Sequence, residues 1–409
     1  MNITIITSTF PYPLKSGGAQ AQYNFIDTLR KMHNISMIFP VNGKNTMGAM
    51  RHLQTEWPEV SFHPYSYFRQ LMHGPFLKDK IVRAVKLKTC GKSSRFLVER
   101  ALKPYGYYFT NDFLSFVNKV IKQNNTDLIQ VEFYPYQHIV NYLPEHIRKI
   151  FVQHEIRYIR NKRLLADVGL LPYENNLFIH SQQEEIRDLN AYDQIIALTD
   201  TDKQTMENDG VKTPIFVSPA AVNTPVKPYQ EWRGTLTFVG GYSHIPNQEG
   251  MEWFISQVLP LIQTEQVRSI NIIGAGWPKK YEQIHPKLHF LGFVDDLQQH
   301  LQGSLVIVPI LTGSGMRMKI LDAAATGVPF VTTSVGVEGL RFEHGQSCVI
   351  ADTPEKFAAA VNELISNQSL MKIYAEHAQL VFNKFYSVPA LSDVRNQVYS
   401  SVMSEEKKQ

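Results

Sequence analysis

The sequence predicts an α/β protein built from two consecutive domains, each a doubly wound parallel sheet. Its 409 residues exceed what one hydrophobic core normally serves and fit two domains of roughly 200 residues. Hydrophobic residues make up 44% and charged residues 19%, as in ordinary globular proteins. Short apolar runs alternate with amphipathic stretches in both halves, a pattern typical of βαβ units and hence of parallel sheets.

The N-terminal half begins with one such unit. Residues 2–10 (NITIITSTF) read as a buried strand, 21–33 (AQYNFIDTLRKMH) as a helix and 35–41 (ISMIFPV) as the next strand. Three further apolar runs predict strands, at 127–134, 149–155 and 193–199. Residues 50–115 are less regular, and no element is assigned there.

The C-terminal half repeats the alternation. The predicted strands are TLTFVGG, SINIIGAG, KLHFLGF, SLVIVPI and PFVTTS, and the predicted helices include NQEGMEWFISQVLPLIQ and KILDAAATG. We therefore expect an N-terminal domain at 1–215, a C-terminal domain at 216–385, and a final helix and tail at 386–409 that could cross back to the N-terminal domain. Ligands of such sheets gather at the carboxyl ends of the strands, so we expect the chemistry in a cleft between two facing domains.

Composition excludes several classes of protein. The two cysteines, Cys90 and Cys348, have no metal-type spacing, so neither a disulfide framework nor a zinc site is indicated, and a reducing cytoplasm is expected. The first residues read as a strand rather than a signal peptide. Because no run approaches the roughly 18 to 20 apolar residues of a membrane span, we expect a soluble or peripheral protein.

Positive charge concentrates at residues 76–103. This segment holds nine cations and two acids, against a net charge of +4 for the whole chain. It could bind the inner face of an anionic membrane, with its interleaved apolar residues inserted, or it could be a solvated helix packed on the N-terminal domain. Nucleic acid is a poor candidate partner, because the cations lack an aromatic stacking platform.

The stretch GSGMRMKILD, residues 313–322, carries the strongest chemical signal. It follows a buried strand, and its glycines would let a phosphate approach the backbone. We predict a helix from Met316 onward, with Arg317 and Lys319 near its start although the helix dipole disfavours cations there. A bound anion would explain both cations; alternatively, Lys319 pairs with Asp322 and Arg317 is a surface residue.

Three other strand ends carry glycines or an aromatic ring. The loop SGGAQ contains Gly17 and Gly18, and FVGG ends in Gly240 and Gly241, which would allow close backbone approach. Asn247 is suited to capping the helix that follows. Phe293 could meet a flat base or simply pack as an aromatic.

His154 follows the predicted strand at 149–155. It could contact a reacting sugar or position an acceptor, and the alternative is a hydrogen-bonded histidine at the domain interface. Glu155 could orient it or pair with a nearby arginine. Glu132 also ends a strand, but nothing local indicates its role.

Together these motifs resemble retaining glycosyltransferases of the GT-B fold, family 4. The resemblance runs through FVGGYSHIPNQEGMEWF, INIIGAG, LHFLGFVDDL, VIVPILTGSGMRMKILDAAATGVPFVTT and GVEGL, and more weakly through SGGAQ, QHEIRYIRNKR and YDQIIALTDTDKQTM. It implies transfer of a hexose from a UDP- or GDP-linked donor, without cofactor or metal, to a glycan, lipid-linked or small-molecule acceptor. The donor would lie mainly on the C-terminal domain and the acceptor on the N-terminal one.

The resemblance also implies roles for individual residues. Arg317 and Lys319 would stabilise the departing diphosphate, and His154 matches the family's cleft histidine near the donor sugar. The donor-binding set would be Gly17, Gly18, Gly240, Gly241, Phe293, Ser314, Gly315, Met316 and Asp322.

The chain departs from the family pattern at the two carboxylates that members often carry eight positions apart. Asp322 stands at the second position, where its carboxylate could accept hydrogen bonds from sugar hydroxyls, and Ser314 stands at the first. Gly241 and Gln248 lie near positions that are arginine and lysine in many members. A sugar-nucleotide epimerase and a non-catalytic nucleotide-sugar-binding protein remain alternatives. A nicotinamide dehydrogenase is disfavoured because no dinucleotide fingerprint follows a strand.

Overall fold

The computed structural model describes residues 1–14, 17–41, 44–66, 98, 101–102, 109–166, 168–220, 222–313 and 315–404. The chain forms two compact units. The first unit comprises Met1–Tyr12, Ile26–Val217 and Gln397–Gln409, and the second comprises Pro13–Phe25 and Ser218–Asn396. The basic segment 76–103 lies outside the described residues apart from Val98, Ala101 and Leu102, so its predicted membrane role stays a prediction.

The first unit is built on a parallel sheet. In the described chain its strands are β1 (Asn2–Thr7), β2 (Asn34–Pro40), β3 (Ser61–Tyr65), β4 (Leu128–Glu132), β5 (Arg148–Gln153), β6 (Gln194–Ala197) and β7 (Ile215–Val217). They lie in the order β3-β2-β1-β4-β5-β6-β7. The helices are α1 (Gly17–Leu29), which begins in the second unit, α2 (Lys44–Glu56), α3 (Asn111–Gln123), α4 (Arg157–Leu164), α5 (Pro172–Leu189) and α6 (Asp200–Asn208), with a 3-10 helix at Tyr134–Tyr142.

The second unit repeats the design. Its strands are β8 (Thr235–Val239), β9 (Ser269–Ile273), β10 (Leu288–Gly292), β11 (Ser304–Val308), β12 (Phe330–Thr332) and β13 (Val349–Ile350), in the order β10-β9-β8-β11-β12-β13. Its helices are α7 (Ile245–Trp253), α8 (Leu297–Leu301), α9 (Met318–Ala325), α10 (Ser334–Val337), α11 (Pro354–Ser366), α12 (Gln368–Phe385) and α13 (Val388–Ser404). Helix α13 ends in the first unit, since residues from Gln397 onward belong there.

The central strands of both sheets are buried, whereas the outer strands β3, β10 and β13 are largely half-buried or exposed. Every residue of β11 is buried, and β2 is buried from Ile35 to its end. Such continuous apolar runs are the pattern of parallel sheets. Helix α3 shows the complementary design, since Thr110 caps its start and the buried Phe113, Val117, Val120 and Ile121 recur at helical spacing.

One predicted helix is interrupted. The predicted helix at 247–263 is α-helical only to Trp253, then continues as a π turn at Phe254–Val258 and a 3-10 turn at Leu259–Leu261. Pro260 explains the change, because proline lacks the N–H that a regular α-helix would use.

The strand order reverses at one place in each sheet. In the first unit β1 pairs with both β2 and β4, and in the second β8 pairs with both β9 and β11. At such a switch point the connections from the two central strands leave in opposite directions and open a crevice at the strand ends. The prediction of two doubly wound, Rossmann-like parallel-sheet domains is confirmed, and the loops after β8 and β11 mark where a ligand should bind on the second unit.

Candidate functional site

The loop after β8 is shaped by Gly240. Its N–H donates to the carbonyl of Ile273 at 2.7 Å, and its own carbonyl accepts from the indole Nε1 of Trp277 at 2.9 Å. A Cβ on this glycine would lie 2.5 Å from Nδ2 of Asn247. Gly240 is therefore required for the Asn247 amide to pack against the loop.

Asn247 links this loop to Lys319. Its Nδ2 donates to the carbonyl of Gly241 at 2.9 Å, and its Oδ1 accepts from Nζ of Lys319 at 2.8 Å. The prediction that Asn247 caps α7 is wrong, because His244 holds the cap position and Asn247 lies inside the helix. Its amide instead joins the two loops of the switch point.

Arg317 lies just before α9 rather than within it. The helix begins at Met318 and not, as predicted, at Met316, because Gly313 and Gly315 take φ values of 110° and 79° that keep the preceding turn out of helical geometry. Arg317 is only 8% exposed, and its Nη1 donates to the carbonyl of Gly315.

At this irregular helix start, Arg317 and Lys319 interact electrostatically. Lys319 is half-buried, with Nζ 4.3 Å from the centre of the Phe238 ring. Burial, and secondarily the charge of Arg317, lowers the pKa of Lys319 to about 7. Its ammonium has three donors, and the bond to Asn247 uses one. A nearby anion would favour the charged form, so the site has the electrostatics of an anion site.

Asp322 lies one turn into α9 and is 4% exposed. Burial raises the pKa of Asp322 to about 7, and the amide of Gln20 opposes that shift by donating to Oδ1 at 2.9 Å. The alternative of a Lys319–Asp322 pair is not what forms here, since the two side chains bond to Asn247 and Gln20 instead.

The first turn of α1 reaches the same place because residues 13–25 belong to the second unit. A Cβ on Gly17 would lie 3.1 Å from Cγ of Met318, so the glycine lets α1 start against the start of α9. Gly18 follows in the same turn of α1. The predicted glycine loop thus carries Gln20 to Asp322, a contact that sequence spacing does not reveal.

The other predicted donor residues are distributed around these loops. Met316 accepts a hydrogen bond at its sulfur from the N–H of Ala220 at 3.1 Å. Phe293 follows β10 and is 47% exposed. Ser314 lies outside the described residues. Gln248 donates to the carbonyl of Tyr242.

His154 lies in the first unit, directly after β5. Its Nε2 is 2.9 Å from Oε2 of Glu132, the last residue of the neighbouring β4. Its ring stacks on Phe133, with ring centres 4.0 Å apart and planes 12° from parallel. Phe133 has φ of 65°, a conformation that costs a non-glycine residue roughly 1–3 kcal/mol. The fold therefore maintains backbone strain where it holds this imidazole.

Glu155 pairs with an arginine, which is the second of the two roles that its sequence position allowed. Its Oε2 accepts from Nη1 of Arg160 at 2.6 Å, and Arg160 also lies over the Tyr134 ring at 4.9 Å. Glu132, for which the sequence indicated no role, is the residue that contacts the His154 ring nitrogen.

Neither a metal cluster nor a membrane-spanning helix is seen in the described chain. Its histidine, cysteine and acidic side chains form no group of three that could hold a metal ion. None of its helices is both long and apolar enough to cross a bilayer.

Residues 233–367 match the protein family described as glycosyl transferases group 1. The group 1 match covers β8 to β13 and therefore includes Gly240, Asn247, Arg317, Lys319 and Asp322. An uncharacterized 44.6 kDa protein in the cps region of Klebsiella pneumoniae is 28% identical over 183 residues, which are 42% of this chain and 45% of that protein. The chain thus matches less than half the length of this curated relative.

Solved structures resemble the chain along nearly all of its length. A S. aureus TarM variant in complex with fondaparinux, alpha-GlcNAc-glycerol and UDP gives a TM-score of 0.68 at 10% identity, covering 99% of this chain and 100% of that one. Anabaena HepE in complex with UDP and glucose gives 0.66 at 14%, covering 98% and 100%. Sucrose-phosphate synthase from Thermosynechococcus elongatus gives 0.69 at 10%, covering 98% and 99%. These similarities confirm the predicted GT-B fold class.

Proposed function

We propose that this protein is a retaining, metal-independent hexosyltransferase of family 4 that uses a UDP- or GDP-linked sugar. The observation that carries the proposal is the pair Arg317 and Lys319 at the β8/β11 switch point, beside the start of α9. Two cations beside the positive end of a helix dipole provide the positive potential that a diphosphate needs.

The donor is proposed to bind with its diphosphate at the turn that precedes α9. Arg317 and Lys319 would neutralise the charge that grows on the leaving group as the sugar departs, which is the task a metal ion performs in other enzymes. Asp322 would accept hydrogen bonds from sugar hydroxyls in place of Gln20, and Phe293 would stack on the base. Asn247 keeps Lys319 in place for this role.

The acceptor is proposed to be a glycan, a lipid-linked sugar or a small molecule bound on the first unit. His154 would position it or stabilise positive charge near the anomeric carbon, with the acceptor hydroxyl entering on the face that the diphosphate leaves. The UDP, glucose and glycan ligands bound by TarM and HepE support the substrate class.

A donor screen followed by product analysis tests the proposal. Thermal shift with UDP- and GDP-hexoses identifies the donor, and mass spectrometry then detects sugar transferred to candidate acceptors in the presence of EDTA. The proton NMR coupling at the anomeric carbon of the product reports retention or inversion. Transfer with retention and without metal supports the proposal.

Other outcomes would favour the alternatives. An epimerised sugar still attached to nucleotide would indicate a sugar-nucleotide epimerase. Donor binding with neither hydrolysis nor transfer to any acceptor would indicate a binding protein.

A further inference from the structure

A chain of hydrogen bonds runs from helix α13 to His154. The Tyr399 hydroxyl, in α13, donates to Oε1 of Gln130. Nε2 of Gln130 donates to Oε1 of Glu132 at 2.6 Å, and Oε2 of Glu132 meets Nε2 of His154 at 2.9 Å. All four residues belong to the first unit.

This chain of hydrogen bonds is shielded from solvent. Gln130, Glu132 and Tyr399 are each 0% exposed. Gln130 and Glu132 are two residues apart on β4, so their side chains project from the same face of the sheet. A carboxylate in such a place is costly unless its oxygens accept hydrogen bonds, and both oxygens of Glu132 have a polar partner here.

The ionised form of Glu132 selects the tautomer of His154. An ionised carboxylate only accepts hydrogen bonds, so Nε2 of His154 then carries the proton that faces Glu132. The other ring nitrogen, Nδ1, is buried and has no hydrogen-bond partner in the described chain. The neutral ring therefore carries its lone pair on Nδ1, and leaving a lone pair unpaired is cheaper than burying an unpaired N–H.

We propose that Glu132, Gln130 and Tyr399 are positioning residues that hold His154 in one orientation and in the Nε2-protonated tautomer. The consequence for transfer rests on the proposed function, in which His154 acts near the donor sugar. Through Tyr399, the C-terminal helix helps to set the state of a residue 245 positions earlier in the chain.

A second histidine–carboxylate pair provides a matched control. Nδ1 of His138 lies 2.8 Å from Oδ2 of Asp188, which is also 0% exposed and also accepts from Asn141 at 3.0 Å. Replacing Asp188 removes a buried, histidine-paired carboxylate from the same unit and leaves the hydrogen bonds that lead to His154 intact.

The test is NMR of the full-length protein labelled with 15N-histidine, with His154 assigned by its loss in His154→Ala. The wild type should show a His154 Nε2–H proton that exchanges slowly with water. Glu132→Ala should abolish that signal, Tyr399→Phe should make it exchange faster, and Asp188→Ala should leave it unchanged. An Nδ1–H tautomer in the wild type, or an unchanged His154 signal in either Glu132→Ala or Tyr399→Phe, would overturn the proposal.

Kinetic measurements test whether these hydrogen bonds affect sugar transfer. Glu132→Ala should lower kcat by about tenfold or more while the donor KM changes little, as expected for the loss of an outer partner of a functional histidine. Asp188→Ala should lower thermal stability and leave kcat unchanged. Tyr399→Phe removes a single hydroxyl, so it tests the chain even if Glu132→Ala folds poorly. Absence of transfer by the wild type would refute the proposed function, whereas the NMR result judges the positioning chain separately.

Discussion

Binding of UDP to this protein should take up protons above neutral pH, and Lys319 should be the main group that receives them. Burial and the neighbouring charge of Arg317 hold the pKa of Lys319 at about 7 in the free protein. A diphosphate beside the ammonium favours its charged form and would return the pKa towards the ordinary range of lysine. The ligand should therefore bind the protonated lysine.

The size of the effect follows from the pKa. At pH 8, one unit above it, only about one tenth of Lys319 is protonated before binding, so binding should take up about 0.9 proton. At pH 6 most of the lysine is already charged, and the uptake through Lys319 should fall to about 0.1 proton. Above neutrality the dissociation constant should rise by up to about tenfold per pH unit.

Calorimetric titration with UDP in buffers of different ionisation enthalpy measures the number of protons directly. The control is Lys319→Arg, which keeps the positive charge but does not titrate in this range. The variant should lose the Lys319 share of the uptake, and any remainder would come from other groups such as Asp322. Equal uptake by wild type and Lys319→Arg at pH 8, or none by the wild type, would refute the reasoning.

Three further predictions concern the packing, the buried acid and the basic segment. Gly240→Ala should lower the free energy of unfolding, measured by urea titration, by about 1–3 kcal/mol, because the new Cβ would collide with Asn247. Gly48→Ala is the control: it has open space around it and should raise the free energy of unfolding by about 0.5–1 kcal/mol. Equal effects of the two substitutions would contradict the packing argument. Between pH 3.8 and about 7 the folded state keeps the Asp322 proton that the unfolded state loses, so the free energy of unfolding should fall with rising pH. Asp322→Asn should remove that fall. An unchanged pH dependence of urea unfolding in the variant would exclude Asp322 as its source. Replacing several cations between 78 and 92 by glutamine should weaken sedimentation with anionic vesicles, and undiminished binding would favour the solvated helix.

The sheets were predictable because their signal is local. The predicted strands at 127–134 and 193–199 contain β4 and β6, and the one at 149–155 overlaps β5, which begins one residue earlier at Arg148. Each is a short apolar run that is recognisable without knowledge of distant residues. Strand β3 escaped prediction because SFHPY is mostly half-buried and contains a proline, so it lacks the apolar run that marks the other strands.

The site was predictable only where one segment supplies it. Arg317, Lys319 and Asp322 lie at the start of one helix, so the sequence of residues 313–322 alone brings them together as candidates. Their partners could not, since Gln20 is 302 positions from Asp322 and Asn247 is 72 from Lys319. Local rules gave Asn247 a different role, because an asparagine near a helix start normally caps it.

The hydrogen-bond partners of His154 could not be predicted from the sequence for the same reason. Glu132 is 22 positions away in the chain, and Tyr399 lies 269 positions from Gln130. Parallel sheets bring distant strand ends together, so a contact between two of them leaves no periodic signal in either segment.

The central claim is that a nucleotide diphosphate binds at the turn before α9, with side-chain cations in the place of a metal ion. A crystal structure of the protein with UDP tests it most directly. The account predicts phosphate oxygens within about 4 Å of the Arg317 guanidinium and of Nζ of Lys319, the range of a salt bridge, with no metal ion between them. Phosphates bound away from both residues, or held there through a metal ion, would contradict it.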